Sequence, residues 1–363
     1  MENSLPLKNL TDDTRLYLKP EGLGPKALGL SFPLAGGPLF FNAISIILAA
    51  RGGRIYEGVY PLTSLDSLKA QLPENLNEKF DKQFSNLTSL RKPIGALSFE
   101  KPVLMGILNL TPDSFSDGGD YLKEDEAIAR AKALFKEGAD IVDVGGESTR
   151  PGATLVRGDE ELKRLKPVLS GLTDLPGPVS IDTRKSEVMG QALKSGALLI
   201  NDVSALTFDE NSIKVAKNAP GIILMHAKGS PGDMQKSPKY GDVLLEVFDY
   251  LEGRILACEA AGIVRERLIV DPGVGFGKNL SHNLTVLKGL SMFQTLGVAV
   301  LAGVSRKRFI GEITGVENPK DRLAGSLSAS LFALSQGAQI IRCHDTAEMR
   351  NAMDVYQTIT SFS

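Results

Sequence analysis

From Val103 onward, short apolar runs alternate with amphipathic stretches of helical period. The runs are VLMGILN, DIVDVGG, GPVSID, ALLIND, GIILMH, RLIVD, VAVLAG and QIIRCH. Between and after them the spacing predicts helices centred near Ala131, Leu165, Met189, Lys214, Ile255, Val286, Ser328 and Met353. Near-continuous apolar strands separated by helices imply a parallel sheet covered on both faces. Eight such units over about 260 residues predict an α/β fold of the (β/α)8 TIM-barrel type. A doubly wound open sheet is the alternative, and the number eight favours closure.

The first hundred residues read differently. In FNAISIILAARGGRIYEGVYPLTSL, two β-rich runs flank Arg51-Gly52-Gly53-Arg54, which predicts a hairpin. The polar stretch from Leu72 to about Arg91 reads as helix and linker. We therefore divide the chain into a small β-rich N-terminal extension, residues 1–100, and a barrel domain, residues 101–363. No chemical motif stands out in the extension.

Charge and cysteine usage narrow the partners. The formal net charge is −2, so there is no basic surplus to neutralise nucleic-acid phosphates. The two cysteines, Cys258 and Cys343, are far apart and lack metal-ligand spacing. A disulfide framework is not expected, and a cytoplasmic location fits. MENSLPLKNLTDD lacks the pattern of a signal peptide. FFNAISIILAA covers only about half of the roughly 20 residues a membrane helix needs, so a buried strand or helix is expected there.

The polar residues cluster at the ends of the apolar runs. They are Asn109, Asp143 followed by GGESTRPGA, Asp182-Thr183-Arg184, Asn201-Asp202, Met225-His226, Asp271-Pro272-Gly273, Ser305-Arg306-Lys307, and Arg342-Cys343-His344-Asp345. One Asp after a strand usually caps the next helix. A whole set of such ends meeting on one barrel face marks the functional face. Asp143, Asp182, Asn201 and Asp271 would form a cup of acceptors with one amide. A flat heterocycle with an amino-amidine edge, such as a pterin or guanine, would satisfy it in bidentate fashion. Arg150, Arg306, Lys307, Arg342 and His344 suit phosphate or carboxylate groups. Three adjacent cations, Arg306-Lys307-Arg308, need some compensating partner.

GVGFGK, residues 273–278, is not a phosphate-binding P-loop. Pro272 stands where the first glycine belongs, and Asn279 replaces the Ser or Thr. Its glycines would let backbone approach a flat ligand, with Phe276 stacked nearby and Met225 as an apolar wall. His226 has no ligand-spaced partner and His282 begins a helix, so a zinc site is not expected.

MGILNLTPDSFSDGG, DVGGESTRPGA, SIDTRKSEV, INDVSA, VDPGVGFGK, LAGVSRKRFIG and RCHD, in that order, closely resemble dihydropteroate synthase over about residues 101–360. The resemblance implies a homodimeric TIM barrel and sulfonamide target. Such an enzyme joins 6-hydroxymethyl-7,8-dihydropterin pyrophosphate to p-aminobenzoate and releases pyrophosphate, with Mg²⁺ as cofactor. By motif position, Asp143, Asp182, Asn201, Met225, Asp271, Phe276, Gly303 and Lys307 would form the pterin pocket. Asn109 would bind Mg²⁺, and with Arg150, Arg342 and His344 it would hold pyrophosphate. Phe115, Thr149, Arg150, Pro151 and Arg308 would contact p-aminobenzoate, and Asp117 would lie near a developing cation. Asp117, Lys307, Arg342 and His344 are thus the expected catalytic set. Arg308 departs from the serine that many relatives carry. Two rivals share the acidic cup: a pterin-binding methyltransferase acting with a corrinoid protein, and a non-catalytic pterin-binding barrel. Neither needs the basic half.

Overall fold

The structure is a computed structural model that describes residues 10–11, 13–26, 29–50, 53–110, 124–148, 155–229 and 238–361. The N-terminal strands are β1 (Arg15–Glu21), β2 (Phe32–Pro33), β3 (Phe40–Phe41), β4 (Ala43–Ala50) and β5 (Gly53–Pro61). Helices α1 (Leu65–Lys69) and α2 (Glu74–Thr88) follow. β4 and β5 pair antiparallel, as the hairpin expectation requires, and β1 completes a three-stranded sheet in the order β1-β4-β5. β2 and β3 form a separate two-stranded pair.

Alternation divides the sheet between two cores. Leu16, Leu18, Ile44, Ile46 and Leu48 face one way and pack with Leu76, Phe80 and Leu87 of and around α2. Tyr17, Ile47 and Ala49 face the other way and join the large core of the barrel. The linker after α2 is pinned by buried Arg91, which donates to the carbonyls of Asn86, Ser89, Gln294 and Val298.

The eight apolar runs form strands β6 (Val103–Asn109), β7 (Ile141–Gly145), β8 (Val179–Asp182), β9 (Leu199–Asp202), β10 (Gly221–Met225), β11 (Leu268–Asp271), β12 (Ala299–Gly303) and β13 (Ile340–Cys343). They close as a parallel barrel, with β13 paired to β6. The helices between and after them are α3 (Glu124–Lys136), α4 (Gly158–Ser170), α5 (Ser186–Lys194), α6 (Ser212–Ala216), α7 (Val243–Ala260), α8 (Leu280–Lys288), α9 (Arg308–Thr314), α10 (Leu323–Ser335) and α11 (Thr346–Ser361).

The barrel interior holds Val103, Met105, Ile141, Leu199, Ile223, Ile269, Leu301 and Ile340. Ile94, Leu97 and Phe99 of the linker join this cluster and plug the end where the strands begin. The other end is where the strands deliver their polar residues. The register aligns Asn109 with Gly145, Gly145 with Asp182, Asp182 with Asn201, Met225 with Asp271, and Gly303 with Arg342. Among the described residues, no helix is long and apolar enough to cross a membrane.

Candidate active site

A cavity of about 740 Å³ opens at the C-terminal ends of the barrel strands. Asn109, Asp182, Asn201, Met225, Asp271, Phe276, Gly303, Lys307, Arg308, Arg342 and His344 all line it. Asp143 lies one layer deeper, fully buried. Phe115, Asp117, Thr149, Arg150 and Pro151 lie outside the described residues.

Arg342 ties the acidic half together. Its Nε donates to Asp143 Oδ2 at 2.6 Å and its Nη2 to Asp182 Oδ2 at 3.0 Å. Asn201 Nδ2 donates to the same Asp143 oxygen at 3.0 Å. Asp143 Oδ1 is buried and has no partner among the described residues. The sequence reading assigned Arg342 to the pyrophosphate. Its guanidinium also supplies donors to two carboxylates that would otherwise repel, while the residue still lines the cavity.

One cation does not neutralise two carboxylates. Burial and the Asp143 charge push the Asp182 carboxyl up to about 8, against the pull of Arg342. Burial also raises Asp271, opposed by Lys307 and by a hydrogen bond from Gly273 N–H at 2.7 Å. Burial lowers the Lys307 ammonium to about 8, while Asp271 works to keep it charged. Lys307 donates to the Val274 carbonyl, and its Nζ stands 4.8 Å from the centroid of the Phe276 ring. That contact is of cation–π type. Lysine, aromatic ring and glycine-rich backbone thus form one wall. At Gly303 the backbone lies against Asp271, Arg342 and Lys307, whose atoms an added Cβ would meet at 3.8 to 3.9 Å.

The run of cations is resolved by three different partners. Arg306 pairs with Asp345, Lys307 turns to Val274 and Phe276, and Arg308 pairs with Glu312 at 2.7 Å. Arg308 is therefore mostly exposed, and in this arrangement its side chain is engaged along its own helix. His344 is set by Ser305, whose Oγ lies 3.1 Å from His344 Nδ1 and accepts from His344 N–H at 3.2 Å.

Three residues lining the cavity were visible in the sequence motifs but had no assigned role: Lys278, Ser305 and Glu147. Lys278 is buried and donates to the Gly273 carbonyl at 2.9 Å and the Phe276 carbonyl at 3.2 Å. Its Nζ lies 2.8 Å from His226 Nδ1. Burial brings its ammonium down to about 7 and keeps His226 neutral, with a pKa near 2. Lys278 was visible as the last residue of GVGFGK, but without a P-loop it had no assigned task. Glu147 accepts from Arg184, Lys185 and Val156 N–H. Burial would raise its carboxyl, but the bonds from Arg184 and Lys185 hold it below the ordinary range.

Residues 105–344 match the pterin binding enzyme family. The dihydropteroate synthase of Neisseria meningitidis serogroup B is 47% identical over 270 residues, covering 72% of this chain and 94% of that protein. The Escherichia coli K12 enzyme is 45% identical over 267 residues, covering 73% and 94%. A Xanthomonas albilineans dihydropteroate synthase solved with 4-aminobenzoic acid is 46% identical, with a TM-score of 0.69 over 74% of this chain and 96% of that one. The same enzyme in complex with 7,8-dihydropteroate is 41% identical, with a TM-score of 0.67 over 74% and 97%. The chain belongs to the pterin binding enzyme family, among its dihydropteroate synthases.

Proposed function

We propose that the cavity joins 6-hydroxymethyl-7,8-dihydropterin pyrophosphate to p-aminobenzoate, giving 7,8-dihydropteroate and pyrophosphate in folate biosynthesis. The observation that carries this reading is the meeting, in one cavity, of a buried acidic and amide cup with a basic rim. A pterin has donors for the first, and a pyrophosphate has charge for the second.

Asp271, Asp182 and Asn201 take the pterin edge, beside Gly303 and between Met225 and the Phe276–Lys307 wall. Asp143 holds the cup from below through Asn201 and Arg342. Arg342, His344 and Arg150 take the pyrophosphate. The basic residues stabilise charge that grows on the leaving group as the bond to the pterin methylene breaks. The cation left behind spreads into the electron-rich dihydropterin ring, with Asp117 and the pyrophosphate nearby. Phe115, Thr149, Pro151 and Arg308 shape the p-aminobenzoate site. The arylamine is neutral at pH 7 and needs no strong base.

Asn109 contributes one amide oxygen to the rim, and no group of three or more His, Cys, Asp or Glu among the described residues could hold a metal. Mg²⁺ suits such a donor set, because it keeps waters and takes phosphate oxygens beside one or two protein ligands. When bound, it offsets charge on the departing pyrophosphate. The enzyme acts in the cytoplasm, consistent with its two separate, buried, free cysteines. It acts as a homodimer, for which exposed Phe332 on α10 and Val355 and Ile359 on α11 offer apolar surface.

Supplied with both substrates and Mg²⁺, the chain should release one pyrophosphate for each p-aminobenzoate consumed. Methyl transfer to a corrinoid protein without pyrophosphate release would instead establish the methyltransferase. Within the reaction, a single turnover should release pyrophosphate without p-aminobenzoate; strict dependence on p-aminobenzoate would overturn the dissociative order.

A further inference from the structure

We propose that the N-terminal unit positions the pterin cavity, acting through helix α7. The unit lies outside the family match, which begins at residue 105, so the family assignment gives it no task.

Helix α7 has two working faces. Asp242 at its N-cap, Asp249 and Glu252 follow one another at helical spacing along one face. Each meets the N-terminal sheet. Arg54, near the start of β5, donates from Nε to Asp242 Oδ2. The other oxygen of Asp242 caps the helix through Leu244 and Leu245 N–H at 3.1 and 3.2 Å. Tyr17 donates to Asp249 at 3.0 Å, and its ring meets Phe248 edge-on at 5.4 Å. Arg15 pairs with Asp249 at 2.9 Å and Glu252 at 2.7 Å.

Tyr250 and Arg254 lie on another face, one helical turn apart, and support the cavity. Tyr250 donates to the Ser204 carbonyl at 3.3 Å and sets its ring edge-on to His226 at 5.0 Å. His226 directly follows Met225 and touches Lys278. Arg254 donates to the Ala205 carbonyl at 2.8 Å. Ala205 and Leu206 both hold positive φ, 51° and 62°. Residues with side chains keep that conformation only when neighbours impose it. The turn they form lies one residue beyond Val203, and Asn201 and Val203 line the cavity. The sheet thus grips one face of a helix whose other face holds a strained turn and a histidine directly beside cavity-lining Met225 and Lys278.

A stabilising tether alone would require none of this two-faced arrangement, so the test must separate position from stability. It uses the full-length chain with Arg54→Ala and Tyr17→Phe combined, which leaves the Tyr17 ring packed. Arg54→Lys with Tyr17 intact serves as the conservative rescue. The kinetic readout rests on the condensation reading above. The KM for the pterin pyrophosphate should rise about three- to ten-fold in the double variant, with kcat and the KM for p-aminobenzoate within about two-fold. Amide exchange at residues 204–206 should quicken, and Arg54→Lys should return both readouts close to those of the parent. A lowered melting temperature with the pterin KM and the 204–206 exchange both unchanged would overturn the proposal. If the parent chain made no dihydropteroate, the functional reading would fail, and the exchange rates alone would decide the positioning role.

Discussion

The guanidinium of Arg342 lies 3.0 Å from the carboxylate of Asp182, beneath the cavity that the barrel strands surround. The same cation also serves Asp143, so an ionised Asp182 would leave the cup with an excess of negative charge. This sets a pH signature. An unfolded chain releases the Asp182 proton near 3.8, and the native state retains it to about 8. Between those values the native state binds the extra proton, so Asp182's contribution to stability falls as pH rises through the window. We expect Asp182→Asn to remove that loss. Melting midpoints of parent and variant, compared from pH 4 to 8, should diverge in favour of the variant as pH rises. Parallel curves would mean that the native carboxyl titrates at its ordinary value.

Lys278 fastens the glycine-rich loop that carries Phe276 and the Val274 carbonyl. Lys278→Met keeps much of the apolar volume but strands the Phe276 carbonyl and His226 Nδ1, and leaves the Gly273 carbonyl only its bond from Phe276 N–H. Each unsatisfied buried group costs about 1–3 kcal/mol. Urea denaturation should show a loss of at least about 2 kcal/mol, and the pterin KM should rise about ten-fold with the loosened wall. Unchanged stability would show that the loop holds itself.

Gly273 has φ +67°, and an added Cβ would stand 1.8 Å from the His226 carbonyl oxygen. Neither the dihedral nor this backbone neighbour can give cheaply. Gly273→Ala should destabilise by about 2 kcal/mol or more and impair pterin binding through displacement of Asp271. Normal calorimetric affinity for a pterin in this variant would contradict the packing described.

Asn109→Ala removes the proposed protein oxygen for Mg²⁺ while leaving the barrel strand intact. The Mg²⁺ concentration for half-maximal activity should rise about ten-fold, because one protein ligand is lost from an ion otherwise held by water and phosphate. An unaltered Mg²⁺ dependence would rule that role out.

The strands were legible because burial on both faces leaves an unambiguous apolar run, and their polar ends pointed to one rim. Asn109, Asp182, Asn201 and Asp271 all stand at such strand ends, and all line the cavity. The orientation of Arg342 was not legible, since a strand-end arginine faces both an anion site and neighbouring carboxylates, and only the barrel's closure puts Asp143 within reach. Lys278 escaped for a related reason. A lysine after a glycine loop usually announces an anion, whereas here it folds inward onto the loop's own carbonyls. The contacts of Tyr17 and Arg54 with α7 span more than 180 residues of sequence, a separation at which local periodicity carries no information.

The most direct measurement incubates the chain with 6-hydroxymethyl-7,8-dihydropterin pyrophosphate, labelled p-aminobenzoate and Mg²⁺, beside an Asp271→Asn variant as control. Label should appear in 7,8-dihydropteroate with the parent chain and fall to background with the variant, whose carboxylate acceptor for the pterin is gone. No labelled dihydropteroate from folded parent protein would contradict the condensation, and full product from Asp271→Asn would contradict the acidic cup as the pterin site.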